Sequence, residues 1–284
     1  KDLAASLQRW YESALYFIIN RITNTWECEN LVLGGGCAYN GTANGKIKQF
    51  TAIKNVFIPF APSDSGSAIG ACLYHYHQTF GNPKVKGGDN QSPYLGEEWT
   101  NPELLKIILQ KRVRGNAIVM YETPQVLCKE VARLINEGNI VGWFQGRTEF
   151  GARALGNRSI LGNPHLSDIR DRINKVVKKR EMFRPFAPSV TIEDYQKYFL
   201  SEEDVPYMNQ VVKVKKDVNI PSVTHVDNSA RIQTLKREDN PLYYDLLKEF
   251  EKLTGTPILL NTSFNLKDHT MTNDPEKAIW TFLN

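Results

Sequence analysis

Short apolar runs recur along this chain, each breaking at once into a glycine- or proline-rich loop and then a helix-prone stretch. Asn30-Leu31-Val32-Leu33 runs into Gly34-Gly35-Gly36, and Val56-Phe57-Ile58 into Pro59-Phe60-Ala61-Pro62-Ser63-Asp64-Ser65-Gly66. Residues 140–144 open a loop rich in glycine and arginine, and residues 257–260 end at Asn261-Thr262-Ser263-Phe264-Asn265. Runs this brief suit buried strands rather than helices, and their alternation with periodic stretches predicts an α/β architecture. Helices are expected over about 2–21, 67–76, 102–111, 124–137, 168–179 and 242–253.

At 284 residues the chain exceeds the usual single domain, so one large or two moderate domains are expected. The polar stretch 83–115, with Gly87-Gly88-Asp89-Asn90 and Ser92-Pro93, reads as a connector between residues 1–82 and 116–284. The ends read as cut from a longer protein. Leu3, Leu7, Trp10, Leu15, Ile18 and Ile22 already recur at helical spacing without an initiator Met. Asn273-Asp274-Pro275-Glu276 caps a helix that stops about two turns on, at Asn284. No apolar run approaches the roughly 20 residues of a membrane span, so a cytoplasmic protein with no membrane partner is the default expectation. The four cysteines (Cys28, Cys37, Cys72 and Cys128) form no Cys-x-x-Cys pair, which argues against a disulfide framework or a zinc ribbon.

Charge is unevenly placed. Residues 141–190 carry ten Lys/Arg against four Asp/Glu, a local +6 in a chain of +4. Within that window Gln145 to Ser159 packs Arg147, Arg153 and Arg158 among Gly146, Gly151 and Gly156, with Lys178, Lys179, Arg180 and Arg184 downstream. Arginines at such density repel one another unless an anion lies among them, and guanidinium groups take phosphate bidentately. A small phosphorylated ligand fits the interspersed glycines better than nucleic acid does, although a solvated basic face would share the composition. The glycines at 34–36 could let backbone N–H groups approach a phosphate, or could simply serve a tight turn. Asp64 is either a helix N-cap or a metal ligand. Thr262 and Ser263 sit where a strand end could present ligand groups or an Asx-type turn.

Beyond these physical readings, the residues resemble a known family. The run Gly142-Trp143-Phe144-Gln145-Gly146-Arg147-Thr148-Glu149-Phe150-Gly151-Ala152-Arg153-Ala154-Leu155-Gly156-Asn157-Arg158-Ser159 resembles the signature of NodU/CmcH-type O-carbamoyltransferases. So do Lys179-Arg180-Glu181-Met182-Phe183-Arg184-Pro185-Phe186-Ala187-Pro188, Ala230-Arg231-Ile232-Gln233-Thr234 and the 257–265 segment. Ala152 stands where the family usually has Pro, Gly36 replaces a more usual Val, and Asp227-Asn228-Ser229 replaces Asp-Gly-Thr.

The resemblance implies the C-terminal lobe of an actin-like (ASKHA) domain followed by a YrdC-like α/β domain. It implies an enzyme that activates carbamoyl phosphate with ATP as carbamoyl-adenylate. The carbamoyl group then passes to a hydroxyl of a sugar, antibiotic or lipo-oligosaccharide. By the same match Arg147, Arg180, Arg184, Arg231 and Asn261 hold carbamoyl phosphate and its adenylate, with Arg153 and Arg158 as second choices that order the loop. Gly34, Gly35, Gly36 and Asn40 line the nucleotide site. Asp64 ligates iron or another divalent metal, beside an His-x-x-x-His pair that the resemblance places before residue 1. Residues 1–284 alone are therefore expected not to complete transfer, and a homodimer is allowed. A YrdC-type tRNA-modification factor and a non-catalytic binding module are the alternatives.

Overall fold

The computed structural model describes residues 2–84, 92–110 and 118–284. The glycines of the 83–115 connector (Gly87-Gly88-Asp89-Asn90) fall outside that range. Two compact units emerge: residues 2–84 with Asn209–Val211, and the remainder from Ser92 onward.

The first unit opens with helix α1 (Asp2–Trp26), which continues past the expected end near Arg21. Its predicted apolar stripe is for the most part not the buried one: Leu3, Leu7, Trp10, Ile18 and Ile22 are exposed and only Leu15 packs, partly buried, on the core, while Tyr16, Ile19 and Thr23 are buried. Tyr16 and Ile19 pack with Ile47 and Ile53 in a small core that Leu31, Leu33 and Val56 support. Strands β1 (Asn30–Val32) and β2 (Asn55–Phe57) pair in parallel, with Leu31 opposite Val56. The polar stretch between them forms short helices α2 (Gly41–Asn44) and α3 (Ile47–Phe50) instead of one longer helix. Glycine causes part of this break. A Cβ on Gly45 would lie 2.1 Å from the Val211 carbonyl oxygen, so the segment 209–211 occupies the space a side chain needs. Helix α4 (Asp64–Tyr74) starts three residues earlier than expected, because Ser63 adopts the extended conformation of a helix N-cap.

In the second unit, helices α5 (Asn101–Gln110) and α6 (Pro124–Asn136) precede strands β3 (Val141–Phe144) and β4 (Arg158–Gly162). The helix expected over 168–179 is divided into α7 (Ile169–Arg172) and a π-helical turn at Ile173–Val177. There follow β5 (Ala187–Thr191), α8 (Tyr195–Tyr198), β6 (Phe199–Leu200), β7 (Val212–Val214), β8 (Ser229–Ala230) and β9 (Gln233–Leu235). Helix α9 (Pro241–Thr254), strand β10 (Ile258–Ser263) and helix α10 (Pro275–Leu283) complete the unit. Asp274 caps α10 by accepting the Lys277 N–H at 2.8 Å, as the Asn-Asp-Pro-Glu sequence predicts.

The main sheet runs in the order β3-β4-β10-β5-β9, with only β5–β9 parallel. The fold is therefore mixed α/β. Successive side chains of a strand face opposite ways, and β10 shows the consequence. Leu259 joins α6 and α9 through Cys128, Ile135, Leu246 and Phe250, while Ile258 and Leu260 join Ile173, Val190 and Ile232 on the other face. Asn261, Thr262 and Ser263 belong to β10 rather than to the loop after it, since their pairing with β4 carries the strand to its end. No described helix is long and apolar enough to cross a membrane.

Candidate anion site

The loop from Gln145 to Asn157 joins β3 to β4 and is held by two buried charges of opposite sign. Glu149 is buried, and one carboxylate oxygen accepts the backbone N–H of Leu155 at 2.7 Å, Asn157 at 2.8 Å and Arg158 at 3.2 Å. Burial pushes its pKa up while those N–H bonds pull it down, and the net direction is upward. Arg158 is fully buried and donates to the carbonyls of Asn157 and Gly146 at 3.0 Å each, of Glu97 at 3.3 Å, and of Gln145. Gly156 has φ +108, and a Cβ there would meet Tyr243 Cδ1 at 2.2 Å, so only glycine lets the loop turn against α9. Residues 93–97 brace its outside: Phe150 N–H donates to the Pro93 carbonyl at 2.6 Å and Gly96 N–H to that of Thr148 at 2.9 Å.

Around this frame stand the other arginines. The guanidinium of Arg231 is desolvated and repelled by Arg153 and Arg180, which together pull its pKa down to about 9. Its Nε is buried with no hydrogen-bond partner among the described residues. Arg180 is likewise pulled down by burial and by Arg184, with Glu181 opposing. Its Nε donates to Asn174 Oδ1 at 2.8 Å, and its guanidinium lies 5.0 Å from the Phe186 ring centroid. Lys178 is buried, with Nζ within hydrogen-bond reach of Ser263 O (2.6 Å), Ser263 Oγ (3.3 Å), Asn265 Oδ1 (2.8 Å) and Asn265 O (3.0 Å). Burial and Arg180 bring the Lys178 ammonium down to about 7. Cations that depress one another in a poorly hydrated place gain most from an anion.

Of the predicted set, Arg180, Arg184 and Arg231 thus share one electrostatic neighbourhood. Arg184 is half-exposed and 3.8 Å from Glu181. Arg147 is exposed and pairs with Glu98 at 3.6 Å. Asn261 is buried in a network: its Nδ2 donates to Ala154 O at 3.2 Å and to Ser189 Oγ and Gln233 Oε1 at 3.1 Å each. It fixes the residue after Arg153 from beneath. The sequence does not single out Glu149, and names Lys178 only as one member of the basic run, because a lysine in such a run and a glutamate in a loop look solvated. Their short neighbours, Asn265 and the glycines, are the signal that the backbone closes around them.

In the first unit Gly34, Gly35 and Gly36 are exposed, and Gly35 has φ +88 with nothing near its missing Cβ. Asn40 is engaged: Oδ1 caps α2 by accepting Ala43 N–H at 3.1 Å, while the amide pairs with Gln8 in both directions at 3.0 and 3.1 Å. Asp64 is exposed in the first turn of α4. Among the described residues no three His, Cys, Asp or Glu side chains come together to hold a metal ion.

Comparison with known proteins follows the same division. Residues 1–73 match the family described as carbamoyltransferase N-terminus, and residues 132–284 that described as carbamoyltransferase C-terminus. The nodulation protein NolNO of Sinorhizobium fredii (strain NBRC 101917 / NGR234) is 38% identical over 290 residues, covering 100% of this chain and 42% of that protein. The 3'-hydroxymethylcephem-O-carbamoyltransferase of Amycolatopsis lactamdurans is 33% identical over 246 residues, 86% of this chain and 44% of that protein. The chain spans less than half the length of either relative. Among solved structures, full-length HypF in its phosphate- and nucleotide-bound form aligns over 60% of this chain and 20% of that one, with TM-score 0.39 and 17% identity. With residues 132–284 alone making up more than half of its length, the chain belongs to the carbamoyltransferase family.

Proposed function

We propose that the arginine cluster binds carbamoyl phosphate, and that the chain activates the carbamoyl group with ATP for transfer to a hydroxyl. One observation carries this reading: Arg153 and Arg180 depress the pKa of the buried Arg231, and Arg184 that of Arg180, with Glu181 the acid set against Arg180. Carbamate is a poor electrophile. Water first cleaves carbamoyl phosphate to carbamate and inorganic phosphate; the carbamate oxygen then attacks the α-phosphorus of ATP, releasing pyrophosphate and leaving a mixed anhydride with a good leaving group. That step gathers anionic oxygens, which fixed guanidinium groups in a water-poor pocket stabilise. In this reading Arg180, Arg184 and Arg231 take the phosphate or its adenylate. Arg147 closes from the exposed side, and Asn261 and Arg158 hold the loop in shape.

The first unit is read as the C-terminal lobe of an actin-like domain and the second as YrdC-like. Gly34 and Gly36 offer exposed backbone to a nucleotide, Gly35 shapes the turn with its N–H donated to the Pro62 carbonyl at 2.6 Å, and Asn40 shapes it further through its cap. Asp64 supplies one carboxylate toward iron or another divalent ion. One exposed carboxylate does not fit a metal by itself, so no step is derived through it. The acceptor is proposed to be a hydroxyl of a sugar, antibiotic or lipo-oligosaccharide. The hydroxymethyl group in the Amycolatopsis relative's name supports that class. Cytoplasmic residence remains part of the proposal.

The test is calorimetric titration of the 284-residue chain with carbamoyl phosphate and with ATP, coupled to a pyrophosphate-release assay. Saturable carbamoyl phosphate binding that Arg231→Ala removes would support the reading. Equal, weak binding of any anion by wild type and variant would overturn it.

A further inference from the structure

Asn174 lies in the π-helical turn at Ile173–Val177 and is fully buried. The chain leaves that turn through Lys179 at φ +43, a left-handed helix ending, and comes back to Asn174, whose backbone carbonyl accepts Arg180 N–H at 3.0 Å. The Asn174 side chain then grips the same returning segment. Its Nδ2 donates to Arg184 O at 2.9 Å and to Met182 O at 3.4 Å, and its Oδ1 accepts Arg180 Nε at 2.8 Å. One buried residue thus holds the segment at Arg180, Met182 and Arg184.

The amide can sit only one way round. Carbonyls accept and Nε–H donates, so Nδ2 belongs to the backbone of 182 and 184 and Oδ1 to the guanidinium. The Phe186 ring, 5.0 Å from the guanidinium carbon, holds Arg180 a second time. A guanidinium grips an oxyanion either side-on, through Nε and one Nη, or end-on, through both Nη groups. The bonds of Arg180 within the described residues run through Nε and the backbone N–H. With Nε committed, the side-on edge is taken and the end-on fork remains. The holder is also uncharged. A carboxylate at 174 would grip Nε equally well but cancel charge that an anion needs, whereas an amide oxygen orients the cation and leaves its charge intact.

We infer that Asn174 is a positioning residue of the anion site: it ties down the side-on edge of Arg180 so that the Nη pair is the edge presented to a phosphate, and it fixes the Arg184 backbone in the same turn. This rests on the carbamoyl phosphate reading given above and adds the residue that sets the geometry of its phosphate grip.

The experiment is a double-mutant cycle in the full chain, with inorganic phosphate and carbamoyl phosphate titrated calorimetrically at low ionic strength, where screening is least. Asn174→Ala should weaken both ligands about tenfold, the scale of one hydrogen bond to a charged group. In an Arg180→Ala background the same substitution should change affinity by no more than about twofold, since the group it aims is gone. A residue that only stabilised the fold would cost the same in both backgrounds. Equal losses in the two, or no loss in the wild-type background, would therefore overturn the inference. Asn174→Asp, close in size, decides the matter if a variant of the cycle fails to fold or to bind. It keeps an oxygen on Nε but adds a negative charge there, so phosphate affinity should fall at least about tenfold, and an unchanged affinity counts against the proposal. A wild type that binds phosphate while both Asn174 variants bind it equally well refutes only the role of Asn174. A wild type that binds neither ligand refutes the anion-site reading, and this inference with it.

Discussion

The Arg158 guanidinium carbon lies 3.7 Å from the centroid of the Phe144 ring, so the last residue of β3 and the first of β4 clasp each other at the mouth of the loop. The cation faces the ring while its N–H groups reach the loop carbonyls, which makes Arg158 part of the scaffold and Arg231 its functional counterpart.

Removing the two should therefore have opposite consequences. Arg158→Ala strands several buried carbonyls and is expected to cost at least about 3 kcal/mol. Thermal unfolding should shift down by roughly 6 °C or more. Arg231→Ala removes a cation that Arg153 and Arg180 repel, so its melting temperature should hold or rise while anion binding is lost. A large drop in stability for Arg231→Ala would place it in the scaffold instead.

At position 184 the readout is affinity. Arg184 is half-exposed and only loosely paired with Glu181, so it is free to turn to a ligand at little cost. Arg184→Ala is expected to weaken carbamoyl phosphate by about 1.5–3 kcal/mol, the range for hydrogen bonds to charged groups. Arg184→Lys should restore only part of it, having lost the two-pronged fork. Unchanged calorimetric affinity in both variants would remove Arg184 from the site.

Lys178 ties stability to pH. Its folded-state value of about 7 lies below the ordinary lysine value of 10.5. Between those values the unfolded chain holds a proton that the folded chain does not, so this group makes stability rise with pH across that window. The cost of burying the ammonium is present in full below about 7. Urea unfolding at three pH values in the window should show wild type losing stability relative to Lys178→Met toward acid, as the cost of the buried ammonium appears. Parallel profiles for the two proteins would show that Lys178 keeps its proton throughout.

Asp64 separates local structure from chemistry. Ser63, not Asp64, is the N-cap of α4, and Asp64 contributes charge to the first turn. Asp64→Asn should therefore change stability by less than about 1 kcal/mol, the scale of a helix-dipole interaction. A larger loss, read by thermal unfolding, would mean that the carboxylate has a structural partner.

The sequence by itself determined the alternation of strands and helices, the basic window and the membership signalled by its long arginine motifs. Those features are local: a strand run, an Asp-Pro helix start and a dense set of arginines are written in consecutive residues. Which arginine serves the frame and which the ligand was decided only by tertiary structure. Arg158 finds carbonyls from Glu97, Gln145 and Gly146, whereas Arg231, 73 positions later, finds other cations. The same holds for α1, whose apolar stripe predicted a core face that lies mostly exposed, and for Lys178, a lysine in a basic run that the fold buries against Ser263 and Asn265. The physical reason is that burial and charge neighbourhood depend on which distant segments close over a side chain, and spacing along the chain does not carry that information.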